Sequence, residues 1–171
     1  MKATRLITAA LLGIALTLPS HAATQNNNVE VSIDFGNPSN YTDIEIDGYA
    51  GTREQDIILD IVRSEFSRNA QLYLPNGYKM ETRVDDIDLA GYHEPMYPQY
   101  DQIRIMKPIY PPRFKFSYAV TNKDGIIVRE GNASLTDLNY LWRLALPSQR
   151  SQTAFYVRTL IKDWFRDELG K

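Results

Sequence analysis

The stretch from Arg113 to Ser134 constrains the fold most. Phe114, Phe116, Tyr118 and Val120 alternate with Arg113, Lys115, Ser117 and Ala119, the period-two pattern of a strand with one buried face. Asn122-Lys123-Asp124-Gly125 is a turn sequence, and Ile126 to Ser134 returns the chain as the second arm of a hairpin. A lone hairpin is at best marginally stable in water, so the chain must supply further strands and a layer to cover them.

It supplies both. Val29, Val31, Ile33 and Phe35 alternate with Glu30, Ser32 and Asp34, and Gly36-Asn37-Pro38-Ser39-Asn40 ends that strand with turn chemistry. Residues 41–51 read as an irregular connection. Thr52 and Gln55 have the spacing of a capping box that opens a helix to about Leu72, with Ile58, Ile61, Val62, Phe66, Ala70 and Tyr73 along one face. Leu74-Pro75-Asn76-Gly77 stops it. Tyr78, Met80 and Val84 share one phase of the next strand while Ile87 and Leu89 share the other, so the phase slips at Asp85-Asp86, as at a β-bulge or strand end. Ile103 and Ile105 start another expected strand, Thr136 to Leu144 a short helix, and Ser151 to Leu169 a long helix with Val157, Leu160, Ile161, Trp164 and Phe165 on its apolar stripe. The order predicts an α+β fold: a two-layer sandwich of one mostly antiparallel sheet with two long helices on one face.

The N-terminus reads as an address. Lys2 and Arg5 precede an uncharged apolar run from Leu6 to Leu18, then Pro19 and Ser20-His21-Ala22, the three parts of a cleavable secretion signal. The run is shorter than the roughly 20 residues that span a bilayer as a helix. Residues 1–22 are therefore expected to be a signal peptide, 23–28 a disordered lead-in, and 29–171 one α+β domain, with no integral membrane segment after cleavage. The chain has no cysteine, so its stability rests on packing, which suits a bacterial periplasm or secreted setting without disulfides. Its formal net charge is −2 and becomes more acidic when Lys2 and Arg5 leave. That balance offers no broad basic face for nucleic acid or anionic lipid.

His93 is the one histidine left after His21 departs, which removes metal sites built on two histidines and every Cys-His pair. No G-x-S-x-G elbow, dinucleotide fingerprint or P-loop occurs in the sequence. Carboxylate chemistry or none remains. The dense acidic run is Asp85-Asp86-Ile87-Asp88. Asp86 and Asp88 project to one side of a strand, where their oxygens either hold a hard cation such as calcium or accept bonds from Arg83, Arg104 or Arg113. No other cofactor is expected, and no residue is assigned a catalytic role.

The segment from Tyr92 to Pro112 concentrates Tyr92, Tyr97, Tyr100 and Tyr110 with Met96, Met106 and five prolines. Proline lowers the entropy cost of ordering a loop, and Tyr and Met suit recognition surfaces. Tyr92, His93, Tyr97, Tyr100 and Arg113 are thus candidate binding residues. The competing reading is that the rings roof the sheet and the prolines guard an edge.

Tyr41-Thr42-Asp43-Ile44, Asp86-Ile87-Asp88-Leu89-Ala90-Gly91, Pro111-Pro112-Arg113 leading into the Tyr118 strand, Asp137-Leu138-Asn139-Tyr140-Leu141 and Asp163-Trp164-Phe165 occur in this order. In these segments the chain resembles a family of proteobacterial secreted proteins known as domain of unknown function 3016. The resemblance implies an envelope protein without an assigned activity and marks Asp86, Asp88, Arg113, Asp137 and Tyr140 as motif positions of unknown role. The expected function is a non-enzymatic binding or accessory module for an envelope protein or polymer; the alternative is a carboxylate-dependent hydrolase acting on a cell-wall polysaccharide.

Overall fold

The computed structural model describes residues 28–44, 52–93 and 104–170. The leader, the connection 45–51, the side chain of Thr52 with its expected capping box, Ile103, Tyr97 and Tyr100 lie outside the described residues.

Among the described residues four strands form one mixed sheet in sequential order: β1 (Glu30–Asp34), β2 (Lys79–Asp88), β3 (Arg113–Thr121) and β4 (Ile127–Thr136). β1 runs parallel to β2, and the two remaining pairs are antiparallel. Parallel neighbours need a crossover. Helix α1 (Thr52–Tyr73) lies between them in the chain. The hairpin closes where it was expected, with Asn122 Oδ1 accepting from the amides of Asp124 (2.9 Å) and Ile126 (3.0 Å).

One sheet face carries Met80, Val84, Ile87, Phe114, Phe116 and Val120, all buried. Against it α1 presents Ile58, Val62, Phe66 and Ala70, each wholly buried. Phe66 meets Phe116 edge-on at 5.3 Å, and Trp164 from the last helix meets the same ring at 4.8 Å. Burying each such side chain contributes roughly 1.5–3 kcal/mol, and this aromatic cluster replaces disulfides as the source of stability.

Three elements differ from expectation. The C-terminal helix starts at Phe155, not Ser151: Pro147–Arg150 forms a separate single turn, α2, and Ala154 adopts a left-handed backbone (φ 54°) that breaks helical continuity before α3 (Phe155–Trp164) and its terminal π-turn (Phe165–Leu169). Among the described residues only α1 is therefore a long helix. The expected helix from Thr136 to Leu144 is instead the end of β4, a turn at Leu138-Asn139, a 3₁₀ turn at Tyr140–Trp142 and extended chain from Arg143. Ile105 makes one isolated bridge to Tyr92 rather than a strand, because Pro108, Pro111 and Pro112 withhold the amides a ladder needs. α1 also buries Glu65 and Asn69, each 2% exposed, which stand within its apolar face, three residues after Val62 and Phe66. Glu65 is held there by Arg158 (2.7 Å) and Arg68 (2.6 Å).

Candidate functional site

The phase slip in β2 is a bulge. Val84 pairs with Phe116, and Asp86, not Asp85, pairs with the next residue, Lys115. The extra residue returns Ile87 and Leu89 to the core and turns Asp86 and Asp88 to the opposite face, across from Lys115 and Arg113. Lys115 lies 3.6 Å from Asp86, and Arg113 donates to Asp88 at 3.3 Å.

These carboxylates dock the Tyr41-Thr42-Asp43 segment. Asp86 accepts from the Thr42 amide (2.8 Å) and hydroxyl (3.0 Å). The Asp43 amide donates to the Ile87 carbonyl and its carbonyl accepts from Leu89, both at 3.0 Å, extending the sheet edge by one parallel bridge. Tyr41 donates to the carbonyls of Phe35 and Val84, and burial, reinforced by Asp34, Asp85 and Asp86, pushes its phenol up to about 12.

Arg104 completes the frame. Its guanidinium grips Asp43 through two bonds of 2.6 and 3.0 Å and donates to the Gly91 carbonyl at 3.0 Å. Gly91 has φ +81°, and a β-carbon there would sit 2.7 Å from Met106 Sδ and 2.9 Å from Arg104 Cγ. Only glycine fits that approach. The turn sends Tyr92 over Tyr110 at 5.4 Å, with Tyr92 48% exposed.

The result is a cleft of about 210 Å³ lined by Thr42, Asp43, Asp88, Tyr92, Tyr110 and Arg113, among others. Burial raises the Asp88 carboxyl above its ordinary range; Arg113 opposes the shift and the neighbouring Asp43 and Asp86 add to it. The cleft therefore offers an aromatic wall, a carboxyl group and a half-exposed guanidinium. Such groups bind hydroxyls, amides and planar faces.

Of the expected binding residues, Tyr92 and Arg113 line this cleft. His93 follows Tyr92, half-buried, with both ring nitrogens enclosed and no hydrogen-bond partner among the described residues. Among the described residues no group of three or more His, Cys, Asp or Glu side chains is placed to hold a metal ion. Asp137 and Tyr140 lie elsewhere. Asp137 accepts from the Asn139 amide (3.0 Å) and from Arg143, which also reaches Asp163 at 2.7 Å. Tyr140, fully buried, donates to the Lys107 carbonyl at 2.8 Å. Both hold a loop in place. Sequence reasoning missed the Asp43–Arg104 clamp; Asp43 stood in a motif and Arg104 among possible acid partners, but nothing in their 61-residue separation joins them.

Among the described residues no helix is long and apolar enough to cross a membrane. No curated protein matches the chain. Distantly similar solved structures include a PelC dodecamer from Paraburkholderia phytofirmans (14% identity, 81% of this chain and 85% of that one, TM-score 0.35). A minor lipoprotein from Acinetobacter baumannii shares 10% identity over 83% of this chain and 88% of that one, TM-score 0.27. The chain belongs to the family described as protein of unknown function DUF3016, which matches it over residues 29–167.

Proposed function

We propose that the chain is a bacterial envelope protein, exported by residues 1–22 and active as a non-enzymatic binding module, a two-layer domain with α1 and α3 on one face of its sheet. The observation that carries this reading is the cleft: a half-exposed Tyr92–Tyr110 pair beside Asp88 and Arg113. An aromatic face next to a carboxyl group and a guanidinium that can accept from and donate to hydroxyls suits a sugar ring of an envelope polymer. A hydrolase needs two acids facing each other across a groove, whereas Asp43, Asp86 and Asp88 each face a cation, Arg104, Lys115 and Arg113.

The test is co-sedimentation of the protein with purified peptidoglycan sacculi. Wild type should pellet, and Tyr92→Ala should weaken binding by about tenfold or more without lowering the melting temperature, since the ring is half exposed. Equal binding by Tyr92→Ala and Arg113→Ala would remove the cleft from any polymer contact.

A further inference from the structure

The loop between β4 and α2 exposes apolar side chains that the fold takes care to hold outward. Leu138 is 70% exposed, Trp142 83%, Leu144 103% and Leu146 65%. Two residues among them point inward and are fastened. Tyr140 is fully buried on Lys107, and Arg143 is clamped between Asp137 and Asp163. Arg150 donates to the Arg143 carbonyl and braces the same loop. Monomeric soluble proteins rarely expose this much apolar surface in one place without using it.

Charge identifies what the loop meets. Leu144 and Ala145 rim a groove lined by the cations Arg68, Arg158, Lys162 and Arg166 against only two acids, Glu65 and Asp163. Glu65 is shared by Arg68 and Arg158, leaving that trio one positive charge; Arg143 and Arg166 are offset by Asp137, Asp163 and Asp167, and Lys162 on the groove with Arg150 on α2 restores the positive excess. The acidic balance of the whole chain conceals this local excess. A second copy docking about a two-fold axis would set one cationic rim against another, and like charges across an interface repel. An anionic bilayer instead supplies negative headgroups to the rim and an apolar layer to the tips. Trp at the headgroup level and Leu below it, flanked by Arg and Lys, is the arrangement of an interfacial anchor.

We propose that Leu138, Trp142, Leu144 and Leu146 insert into the surface of an anionic phospholipid membrane while Arg68, Arg150 and Lys162 engage its headgroups. None of the four apolar residues lines the Tyr92 cleft, so the two surfaces stand or fall separately. Contact with a membrane in the cell rests on export, but the test does not.

Vesicles of phosphatidylethanolamine and phosphatidylglycerol are titrated into the full chain, with phosphatidylcholine vesicles as the comparison. The tryptophans are Trp142 and Trp164, and Trp164 is already buried at 9% exposure, so a blue shift of the emission reports Trp142 entering the bilayer. The expected result is a blue shift with the anionic vesicles alone, weakened by added salt. Leu144→Ser and Lys162→Glu should each reduce affinity at least tenfold, with melting temperatures unchanged. Because the apolar, Lys2- and Arg5-flanked leader can itself bind such vesicles, affinity is read from the Trp142 emission shift and its change between variants, not from bulk vesicle binding. A Trp142 shift absent with both vesicles overturns the proposal, as does concentration-dependent self-association in sedimentation velocity that Trp142→Ser abolishes, which would assign the loop to a second copy.

Discussion

Arg104→Met tests whether the clamp on Asp43 is what builds the cleft. Both side chains are only 11% exposed, and their two bonds are short and charge-assisted. Removing one partner of a fully buried ion pair costs about 3–5 kcal/mol because the other charge is stranded. The residual exposure of Asp43 lets some water in, which scales the expected cost to about 2–4 kcal/mol. At about 2–4 °C per kcal/mol for a domain of this size, the melting temperature should fall by about 4–16 °C. Asp43→Asn in the Arg104→Met background should then recover part of the loss, since a neutral amide is cheaper to bury than an unpaired carboxylate. Urea unfolding of both single variants and the double should yield a coupling energy of about 1.5–3 kcal/mol. Additivity within about 0.5 kcal/mol would refute the reasoning and reduce the pair to a surface contact.

Because burial lifts the folded-state pKa of Asp88 above its unfolded value, the fold is penalised by ionisation of this group, fully above the folded pKa and not at all below the unfolded one. The stability of Asp88→Asn relative to wild type should therefore rise as pH increases from about 3 towards 7; a relative loss in that direction in pH-dependent urea melts would contradict the burial argument. Gly77 and Gly91 both have φ +81°, but a β-carbon at Gly77 meets only Lys123 Cβ at 3.6 Å. Gly77→Ala should cost about 1–2 kcal/mol from backbone strain, and Gly91→Ala about 1–3 kcal/mol more from the collision with Met106, Arg104 and the Ile105 carbonyl. Equal thermal shifts would show that the Gly91 turn relaxes freely.

What could be read from the sequence was whatever repeats with a period. The hairpin of β3 and β4, α1 to within a residue of its end, and the buried stripe Val157, Leu160, Ile161, Trp164 and Phe165 all follow from spacing alone. What could not be read depends on single residues acting against their pattern. Ala154 carries a backbone that glycine favours, and no propensity scale marks it as the point where the last helix begins. Glu65 puts a charge in the middle of the apolar face of α1 and is buried there, because Arg158, 93 positions later, supplies the charge it needs. Three of the four exposed apolar residues of the β4–α2 loop, Leu138, Trp142 and Leu144, fall within the helix expected over 136–144, and the four-residue step from Leu138 to Trp142 is a helical spacing that the chain does not use.

The acidic run in β2 shows how a local irregularity becomes a site. Had β2 kept strict alternation after Met80, Thr82 and Val84, Asp86 and Asp88 would have followed them into the core, and Ile87 and Leu89 would have faced solvent. Burying two carboxylates beside Phe114 costs several kcal/mol each, far more than the loss of one ladder step. The bulge at Asp85 is the cheaper solution, and the sequence enforces it through the apolar residues on either side. Its by-product is positional. Two adjacent cross-strand pairs, Asp86 with Lys115 and Asp88 with Arg113, now stand on the open face, and Asp86 has both a backbone amide and a hydroxyl of Thr42 to hold. Thr42 brings Asp43, Asp43 brings Arg104, and Arg104 closes on Gly91 beneath the tyrosine pair. The cleft is thus the far end of a chain of bonds that starts from the need to keep two aspartates out of the core.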